Sequence, residues 1–363
     1  MRRVLIPALL LLASLFLTGA ALAVGRGLSG GQIAYAGWRG SEYHIFLLDV
    51  ARSLHHSLTT LDAEPCCLTF SPNGEYLAYL SSLNGGYHRL HIVRWDGLRL
   101  PEPIRGYVAS VRPLWTPDGA ALAFVTLDSG FNMQAVQMRL PDGKLSPLPT
   151  LDGQLLYPIW SPDGTRFAFV SADRLHLAPA DCLDRLNACP DRAVVSGSTE
   201  MMGWPVWSPD GTRLVFAGRS GGQESYLFLA EAVCAASTCP EPRRLTLQSR
   251  TYTGAALWSR DGRTVTFLSD REGVWSIYAL EMGCLDAPDG CAGQESRLSQ
   301  NDTNAYSASW SPDGSQLVFV TQRQPGAGNT GMAIQLWSPE GQRRLVSRLF
   351  FNPAPVWWPA LVK

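Results

Sequence analysis

The chain has 363 residues, of which 46% are hydrophobic and 17% are charged, and its formal net charge is −1. This composition indicates a globular protein with a large core, and the near-neutral charge argues against nucleic acid as a partner. The 34 glycines and 25 prolines favour many short strands joined by tight turns.

The N-terminal residues 1–23 read MRRVLIPALLLLASLFLTGAALA, in which two arginines precede an apolar run that ends in small residues. This is the pattern of a signal peptide, and we predict export and cleavage after residue 23. The predicted location is therefore extracytoplasmic, either secreted or periplasmic. The alternative is an uncleaved anchor over residues 4–23, long enough to span a bilayer, which would hold the protein on the outer side of the membrane.

An aromatic residue followed by a turn of the type Ser-Pro-Asp-Gly recurs at intervals of 45 to 52 residues. In such a turn proline presets φ, aspartate hydrogen-bonds nearby backbone, and glycine takes the left-handed conformation. Apolar runs around each turn predict four antiparallel strands per repeat, which is the pattern of a propeller blade. The aromatic residues predicted to pack blade against blade are Phe70, Trp115, Trp160, Trp207, Trp258, Trp310 and Trp357.

The two ends of the repeat region complement each other. Residues 33–36 have the pattern of a second strand with no inner strand before it, whereas residues 355–359 have the pattern of an inner strand with no second strand after it. The C-terminal strand is therefore predicted to complete blade 1 and to close the ring. Counting second strands gives seven, so we predict an all-β, seven-bladed β-propeller of four-stranded antiparallel blades, in a single domain over residues 31–359.

The repeat, for example WSPDGTRLVFAG at residues 207–218, resembles that of the TolB-type, WD-like β-propellers of bacterial envelope proteins. The same repeat occurs in propellers attached to prolyl-oligopeptidase-like peptidases. The resemblance implies an architecture more than an activity. TolB itself has an α/β domain before its propeller and six blades, whereas we expect no such domain and seven blades here.

Six of the eight cysteines form three close pairs in the predicted loops between the third and fourth strands of blades 4, 5 and 6: Cys182 with Cys189, Cys234 with Cys239, and Cys284 with Cys291. In an exported protein such pairs predict disulfides, and the spacings argue against the alternative of a zinc site. We predict a rim of three stapled loops, with partner docking there as the alternative role. Cys66 and Cys67 can form a vicinal disulfide or remain reduced and buried, and the sequence leaves both open.

The crossings that precede the inner strands carry the most varied polar and aromatic residues, and we predict that they surround the mouth of the central channel. Aromatic and arginine side chains are typical of recognition surfaces, although here they can also cap the packing between blades. The candidate binding residues are Arg105, Tyr107, Arg112, Asp152, Tyr157, Trp204, Arg250, Tyr252, Asp302, Tyr306 and Arg348.

The sequence contains no catalytic motif in the context that its chemistry requires. Residues 218–222 fit the pattern GxSxG, but they lie between two predicted strands rather than between a strand and a helix, so we interpret them as a hairpin loop. We predict no catalytic residue, no cofactor and no metal site.

The sequence thus predicts an exported, monomeric propeller that acts as a binding scaffold for a protein or peptide. One alternative is an extracellular enzyme, a glycan lyase or hydrolase, with acidic residues at the channel mouth, since some related propellers are metal-dependent polysaccharide lyases. A second alternative is a membrane-tethered sensor.

Overall fold

A computed structural model describes the chain between residues 31 and 357, in the ranges 31–61, 63–82, 88–94, 107–108, 113–127, 133–148, 150–151, 154–155, 158–189, 192–201, 203–219, 224–234, 239–246, 253–287, 290–300, 303–323, 331–349 and 355–357. These residues form 31 strands and two 3₁₀ helices, Ala180–Ala188 and Met282–Asp286. They contain no α-helix, and hence none long and apolar enough to cross a bilayer.

The strands are short and follow one another along the whole described chain. Blades 1 and 2 contain β1 (Gln32–Arg39), β2 (Glu42–Asp49), β3 (Leu54–Leu61), β4 (Pro65–Phe70), β5 (Tyr76–Ser82) and β6 (His88–Arg94). Next come β7 (Tyr107–Val108), β8 (Leu114–Trp115), β9 (Ala121–Leu127), β10 (Met133–Arg139), β11 (Leu145–Pro147), β12 (Thr150–Leu151) and β13 (Gln154–Leu155).

Blades 4 and 5 contain β14 (Ile159–Trp160), β15 (Arg166–Ser171), β16 (Arg174–Pro179), β17 (Ala193–Val194), β18 (Glu200–Met201), β19 (Val206–Trp207), β20 (Arg213–Arg219), β21 (Tyr226–Glu231) and β22 (Arg243–Arg244). Blades 6 and 7 contain β23 (Thr253–Trp258), β24 (Thr264–Ser269), β25 (Ser276–Glu281), β26 (Ser296–Arg297), β27 (Thr303–Trp310), β28 (Leu317–Arg323), β29 (Met332–Ser338) and β30 (Gly341–Leu349). The last strand is β31 (Val356–Trp357).

These strands build a seven-bladed, antiparallel β-propeller, as the sequence predicts. Blades 4, 6 and 7 are simple four-stranded sheets in chain order, and blade 1 has the order β3-β2-β1-β31. Blades 2 and 3 differ from the prediction, because the short strand β7 pairs with both β6 and β9 and joins the two blades into one sheet. A separate two-stranded hairpin, β12–β13, lies on the crossing between blades 3 and 4.

The core lies between the blades rather than inside any one of them. Each second strand presents a fully buried apolar side chain, such as Phe216 in blade 5 and Phe267 in blade 6. One buried cluster combines blades 5 and 6, and another combines blades 1 and 2. A further cluster packs Ile33 of blade 1 against Val318 and Ile334 of blade 7. Apolar packing therefore continues around the ring across the junction of its first and last blades.

The ring is closed by the C-terminal strand, which confirms the prediction from the two ends of the repeat region. β31 runs antiparallel to β1, with Val356 opposite Ala34 and Trp357 opposite Ile33. Val356 also packs on the cluster shared by blades 1 and 2, which includes Leu77. The last strand is therefore the inner strand of the first blade.

The turns that follow the inner strands share one hydrogen-bonded design. In blade 4, the Ser161 hydroxyl donates to Asp163 at 2.6 Å and accepts the amide N–H of Arg166 at 3.0 Å, while the amide of Thr165 donates to Asp163 at 3.1 Å. The glycine of each turn has φ near +70°, a conformation that glycine adopts without steric cost. Equivalent bonds occur in the turns of blades 2, 3, 5, 6 and 7.

The aromatic residues before these turns lie at the interfaces between blades. Three indole N–H groups donate to an oxygen of the preceding blade: Trp115 to the carbonyl of Thr69, Trp207 to that of Ile159, and Trp310 to the hydroxyl of Thr266. Arg166 adds a cation–π contact, with its guanidinium 5.4 Å from the Trp207 ring. Phe70, Trp160 and Trp258 are half-buried at the corresponding positions, and the side chain of Trp357 lies outside the described residues.

We expect the turn aspartates to make the fold sensitive to acid. Hydrogen bonds from Thr116, Ser161 and Ser311 hold the pKa values of Asp118, Asp163 and Asp313 below their usual range. A carboxyl with a lowered pKa in the folded state stabilises the fold above its unfolded pKa of about 3.9, and this stability is lost as the pH falls further.

Urea unfolding as a function of pH tests this expectation in the triple variant D118N/D163N/D313N. Asn73 accepts the same turn hydrogen bonds in blade 2, so the variant should keep nearly the parent stability at pH 7. Its stability should fall less steeply than that of the parent below about pH 4. Identical acid profiles for the two proteins would contradict the assignment.

Candidate binding site at the channel mouth

The propeller has two faces with different construction. On the first face the turns after the inner strands lie beside the loops between third and fourth strands. Arg166, next to the turn of blade 4, donates to the carbonyl of Gly211 in the turn of blade 5 at 2.7 Å and to that of Ala232, at the start of a cysteine loop, at 2.5 Å. We call this face the rim.

The three predicted disulfides are present on the rim. They join Cys182 to Cys189, Cys234 to Cys239, and Cys284 to Cys291, between the third and fourth strands of three consecutive blades. Two of the loops contain the 3₁₀ helices, which the sequence analysis does not predict. Arg243, on the outer strand β22 of blade 5, donates to the carbonyl of Leu285 at 3.4 Å, so the blade 6 loop also contacts the neighbouring blade.

The inner strands of blades 5, 6, 7, 1 and 2 follow one another in an arc of contacts around the central axis. β19 contacts β23, β23 contacts β27, β27 contacts β31, and β31 contacts β4. On the face opposite the rim, these strands meet the hairpins between second and third strands. The Met201 amide donates to the carbonyl of Asp173, and the Trp275 amide donates to the side-chain oxygen of Asn304. We call the N-terminal halves of the inner strands, with the crossings that lead into them, the channel mouth.

Three inner strands carry a bulge at one common position of the channel mouth. The ladder register shifts at Cys67 in β4, at Ala255 in β23 and at Ser307 in β27. These residues have left-handed φ values of 59°, 48° and 35°, which non-glycine residues rarely adopt. Each lies three residues before the aromatic residue that ends its strand, namely Phe70, Trp258 and Trp310. We call this the bulge position.

Two other blades have wider interruptions at the same level. In blade 5, Met201 pairs with Gly218 and Val206 with Val215, so four residues stand opposite two. In blade 3, Val108 pairs with Thr126 and Leu114 with Ala123, so five residues lie between the two pairs on one side and two on β9. A bulge leaves its extra residues outside the ladder, and bulges are frequent where a side chain must be redirected at a functional site.

Few of the candidate binding residues lie in the described part of the chain. Trp204 and Tyr306 are described fully. Tyr107 lies on β7 and Arg348 near the end of β30, the outermost strand of blade 7, but neither side chain is described. Those outside the described residues are Arg105, Arg112, Asp152, Tyr157, Arg250, Tyr252 and Asp302. For these residues the binding role stays a prediction.

Trp204 is the candidate that the fold presents most openly. Trp204 occupies the bulge position of blade 5, because it lies three residues before Trp207. Its side chain is 54% exposed. Tyr306 precedes the bulge position of blade 7, is half-buried and stands opposite Val320. Burial raises the pKa of the Tyr306 hydroxyl, which therefore stays protonated at neutral pH. The two candidates thus lie beside equivalent bulges on different blades.

The described inner strands carry few charged side chains at the channel mouth, and the crossing into β4 adds the exposed Glu64. Within the strands of the inner ring that the structure describes, Glu200 is the one charged side chain, and it stands opposite Arg219 of the neighbouring strand. No cluster of three or more histidine, cysteine, aspartate or glutamate side chains suited to a metal ion is found among the described residues. The polar groups of the described inner strands at the channel mouth are mainly indole, phenol and hydroxyl groups, together with backbone amides and carbonyls.

The sequence does not reveal the bulge position: Ala255 and Ser307 were not candidates, and Cys67 was considered only as a possible disulfide partner. Alanine and serine carry no aromatic or charged group, so the search for typical recognition residues passes over them. The signal that could have found them is positional, since all three share one offset from the aromatic of the repeat. In the sequence the same offset in blades 3 and 4 falls on Arg112 and Tyr157.

The described chain is a seven-bladed β-propeller with three disulfides in its rim loops. The ladder of the inner strand is interrupted in at least five of its blades. Residues 150–361, more than half of the chain, match the family model described as the TolB beta propeller domain. The chain belongs to this family, as the resemblance of its repeat indicates. No curated protein matches its sequence.

Solved structures share the fold at low sequence identity. TolB from Acinetobacter baumannii is 17% identical with a TM-score of 0.54, over 90% of this chain and 82% of that one. The periplasmic gluconolactonase PpgL from Pseudomonas aeruginosa is 14% identical with a TM-score of 0.57, over 89% and 97%. The β-propeller domain of the Trilobed protease from Pyrococcus furiosus is 11% identical with a TM-score of 0.58, over 88% and 96%. That domain is described as having an open velcro topology, whereas here β31 pairs with β1.

Proposed function

We propose that this protein is an exported, non-catalytic propeller that binds a protein or peptide partner at the channel mouth. The observation that carries the proposal is the recurrence of bulges at one level of the inner ring, with left-handed residues in three blades and Trp204 at the same position in a fourth. Residues in sparsely populated conformations are concentrated at functional sites, because the surrounding structure must hold them there.

The bulges give this surface the means to recognise a polypeptide. A bulge changes the direction of its strand and of the side chains beside it, and this gives the channel mouth an irregular surface against which an extended peptide can lie. Trp204 adds a large aromatic surface on the short segment between β18 and β19, both of which pair with β20. Exposed tryptophans on rigid elements are frequent anchors of protein interfaces.

Export is part of the same proposal. The three loop disulfides fit an oxidising compartment outside the cytoplasm, and residues 1–23 have the pattern of a cleaved signal peptide. A related fold in the periplasm, that of the gluconolactonase PpgL, supports this location. The mature N-terminus, read by mass spectrometry, tests it, since a chain that retains residues 4–23 is tethered instead.

Trp204→Ala is the sharpest test of the channel mouth. Peptides are first selected from a random displayed library on the immobilised mature protein, and their affinities are then measured by calorimetry. The substitution should weaken binding about thirtyfold, because truncating a central aromatic anchor costs about 2 kcal/mol.

Two exposed residues serve as matched controls. Val233 is 67% exposed in a cysteine loop of the rim, and Trp38 is 45% exposed on the hairpin between β1 and β2. V233A and W38A should each leave the affinity unchanged. If only V233A lowers the peptide affinity, the binding surface is on the rim. Equal affinity for all variants would refute the assignment of Trp204.

The enzyme alternative stays a prediction. It is tested by turnover assays with oligosaccharide, lactone and peptide substrates, with and without divalent metal ions. If the protein turns over one of these substrates and D302A abolishes that turnover, the protein is an enzyme whose acidic residues act at the channel mouth, and the proposal of a non-catalytic scaffold is wrong.

A further inference from the structure

Cys66 and Cys67 lie on the inner strand β4, at the bulge of blade 2. In a regular strand successive side chains point to opposite faces, so the sulfurs of adjacent cysteines cannot meet. Here Cys67 has a left-handed φ of 59°, and its Sγ lies 2.7 Å from that of Cys66. The bulge thus brings together two thiols that strand geometry would keep apart.

The scaffold, rather than the cysteines, accounts for this conformation. Ala255 and Ser307 occupy the same position in blades 6 and 7 and are also left-handed. The bulge therefore forms without any sulfur, and blade 2 uses it to hold a pair of thiols. Both cysteines are half-buried beside the apolar cluster of blades 2 and 3, so small reagents can still reach them.

We propose that Cys66 and Cys67 are a reversible thiol–disulfide pair, chemically separate from the three structural disulfides of the rim. Its reaction partner is a small-molecule or protein disulfide. One cysteine loses its proton to solvent and attacks that disulfide, forming a mixed disulfide and releasing a thiolate; the second cysteine then loses its proton and displaces the other half. The two cysteines lose two protons and two electrons, and the partner disulfide is reduced to two thiols.

The spacing of the Cα atoms explains why this pair is reversible and the others are structural. Adjacent Cα atoms across a trans peptide are about 3.8 Å apart, closer than the roughly 4.4–6.8 Å of ordinary disulfides. The rim disulfides have Cα separations of 5.6, 4.5 and 4.8 Å, within the ordinary range. Disulfides outside that range are more easily reduced, and such labile disulfides are the usual regulatory ones.

The reduced state is also supported by its surroundings. The hydrogen bond between the two cysteines, together with burial, raises the pKa of the Cys66 thiol. Cys66 is therefore a neutral thiol at neutral pH when the pair is open, which avoids an unpaired charge beside the apolar cluster. Opening the ring consequently leaves a stable dithiol rather than a destabilised strand.

Differential alkylation of the mature protein across a series of glutathione redox buffers tests the proposal. Mass spectrometry should show the peptide that contains Cys66 and Cys67 changing from a doubly alkylated form to an unalkylated form. The mass of the unalkylated form should be that of the dithiol peptide minus two hydrogens. This change should occur at buffer ratios where the rim disulfides stay closed. Full alkylation in every buffer, accumulation of a stable glutathione adduct, or opening only together with the rim disulfides would each overturn the proposal.

Two engineered pairs separate the effect of the bulge from simple adjacency, both in a C66S/C67S background. The variant Y306C/S307C places cysteines at the equivalent bulge of blade 7 and should close in the same buffers. The variant Q342C/R343C places them on β30, where Gln342 and Arg343 pair in regular register with Trp337 and Leu336, and should remain alkylatable. Equal closure of both pairs would refute the role of the bulge.

Discussion

Removing residues 355–363 should lower the free energy of unfolding by about 3–5 kcal/mol. The deletion removes the buried Pro355 and half-buried Val356 side chains, together worth about 1.5–3 kcal/mol, and the backbone pairing of two residues, worth about 1 kcal/mol per hydrogen bond. It also leaves β1 as an open strand edge in the ring, a template for aggregation. Urea unfolding followed by tryptophan fluorescence measures the loss, and light scattering measures the aggregation.

A rescued chain provides the control for this deletion. Placing residues 355–357 and a Ser-Pro-Asp-Gly turn directly before residue 31 gives blade 1 the connectivity that the other blades already have. This rearranged chain should recover most of the lost stability, because β31 can again pair with β1. A deletion that leaves the midpoint of unfolding unchanged, or a rearranged chain that stays as weak as the deletion, would contradict closure by β31.

The architecture could be predicted because its determinants are local in sequence. The turn in blade 5 is specified by Ser208, Asp210 and Gly211 within four residues, and the same chemistry repeats in the other blades. Regular repetition of such a unit fixes the number of blades, and the unmatched segments at the two ends fix the closure. The disulfide pairing followed for the same reason, since each pair lies within one short loop.

The bulges could not be predicted, because they are a property of pairing between strands. Ala255 and Ser307 have no intrinsic preference for the left-handed region, and each such residue costs about 1–3 kcal/mol. Only the packing of complete blades on both sides holds them there. The shared strand β7 was missed for a similar reason, since Val108 pairs at once with His88 of blade 2 and Thr126 of blade 3.

The binding role of the candidate residues stays a prediction, and the structure describes only Trp204 and Tyr306 among them in full. Trp204 was named from the sequence because aromatic residues in the crossings are typical of recognition surfaces, and its exposure is seen only in the structure. Its equivalence with Cys67, Ala255 and Ser307 became visible only from the register of the ladders. Functional sites on repeat proteins lie where the repeat is interrupted. A sequence repeat shows which residues recur in every blade, but it does not show where the backbone of one blade departs from the others.

Removing all three rim disulfides should have the largest effect on stability. Their loops close over sequence separations of 7, 5 and 7 residues, and the loop-entropy relation assigns about 2–2.5 kcal/mol to each. The six Cys→Ala substitutions together should therefore cost about 6–7 kcal/mol, which is comparable to the whole stability of many domains. Denaturant unfolding of the pairwise and combined variants measures this cost under non-reducing conditions.

The three disulfides should also rank in a definite order. Cys182, Cys284 and Cys291 are buried, whereas Cys234 and Cys239 are half-buried and close the shortest loop. The pair C234A/C239A should therefore be the mildest, and the other two pairs should lose packing as well as the cross-link. If C234A/C239A instead abolished binding of the selected peptides while its stability stayed near that of the parent, the rim rather than the channel mouth would be the docking surface. Unchanged peptide affinity in all three pairs would assign the rim to stability alone.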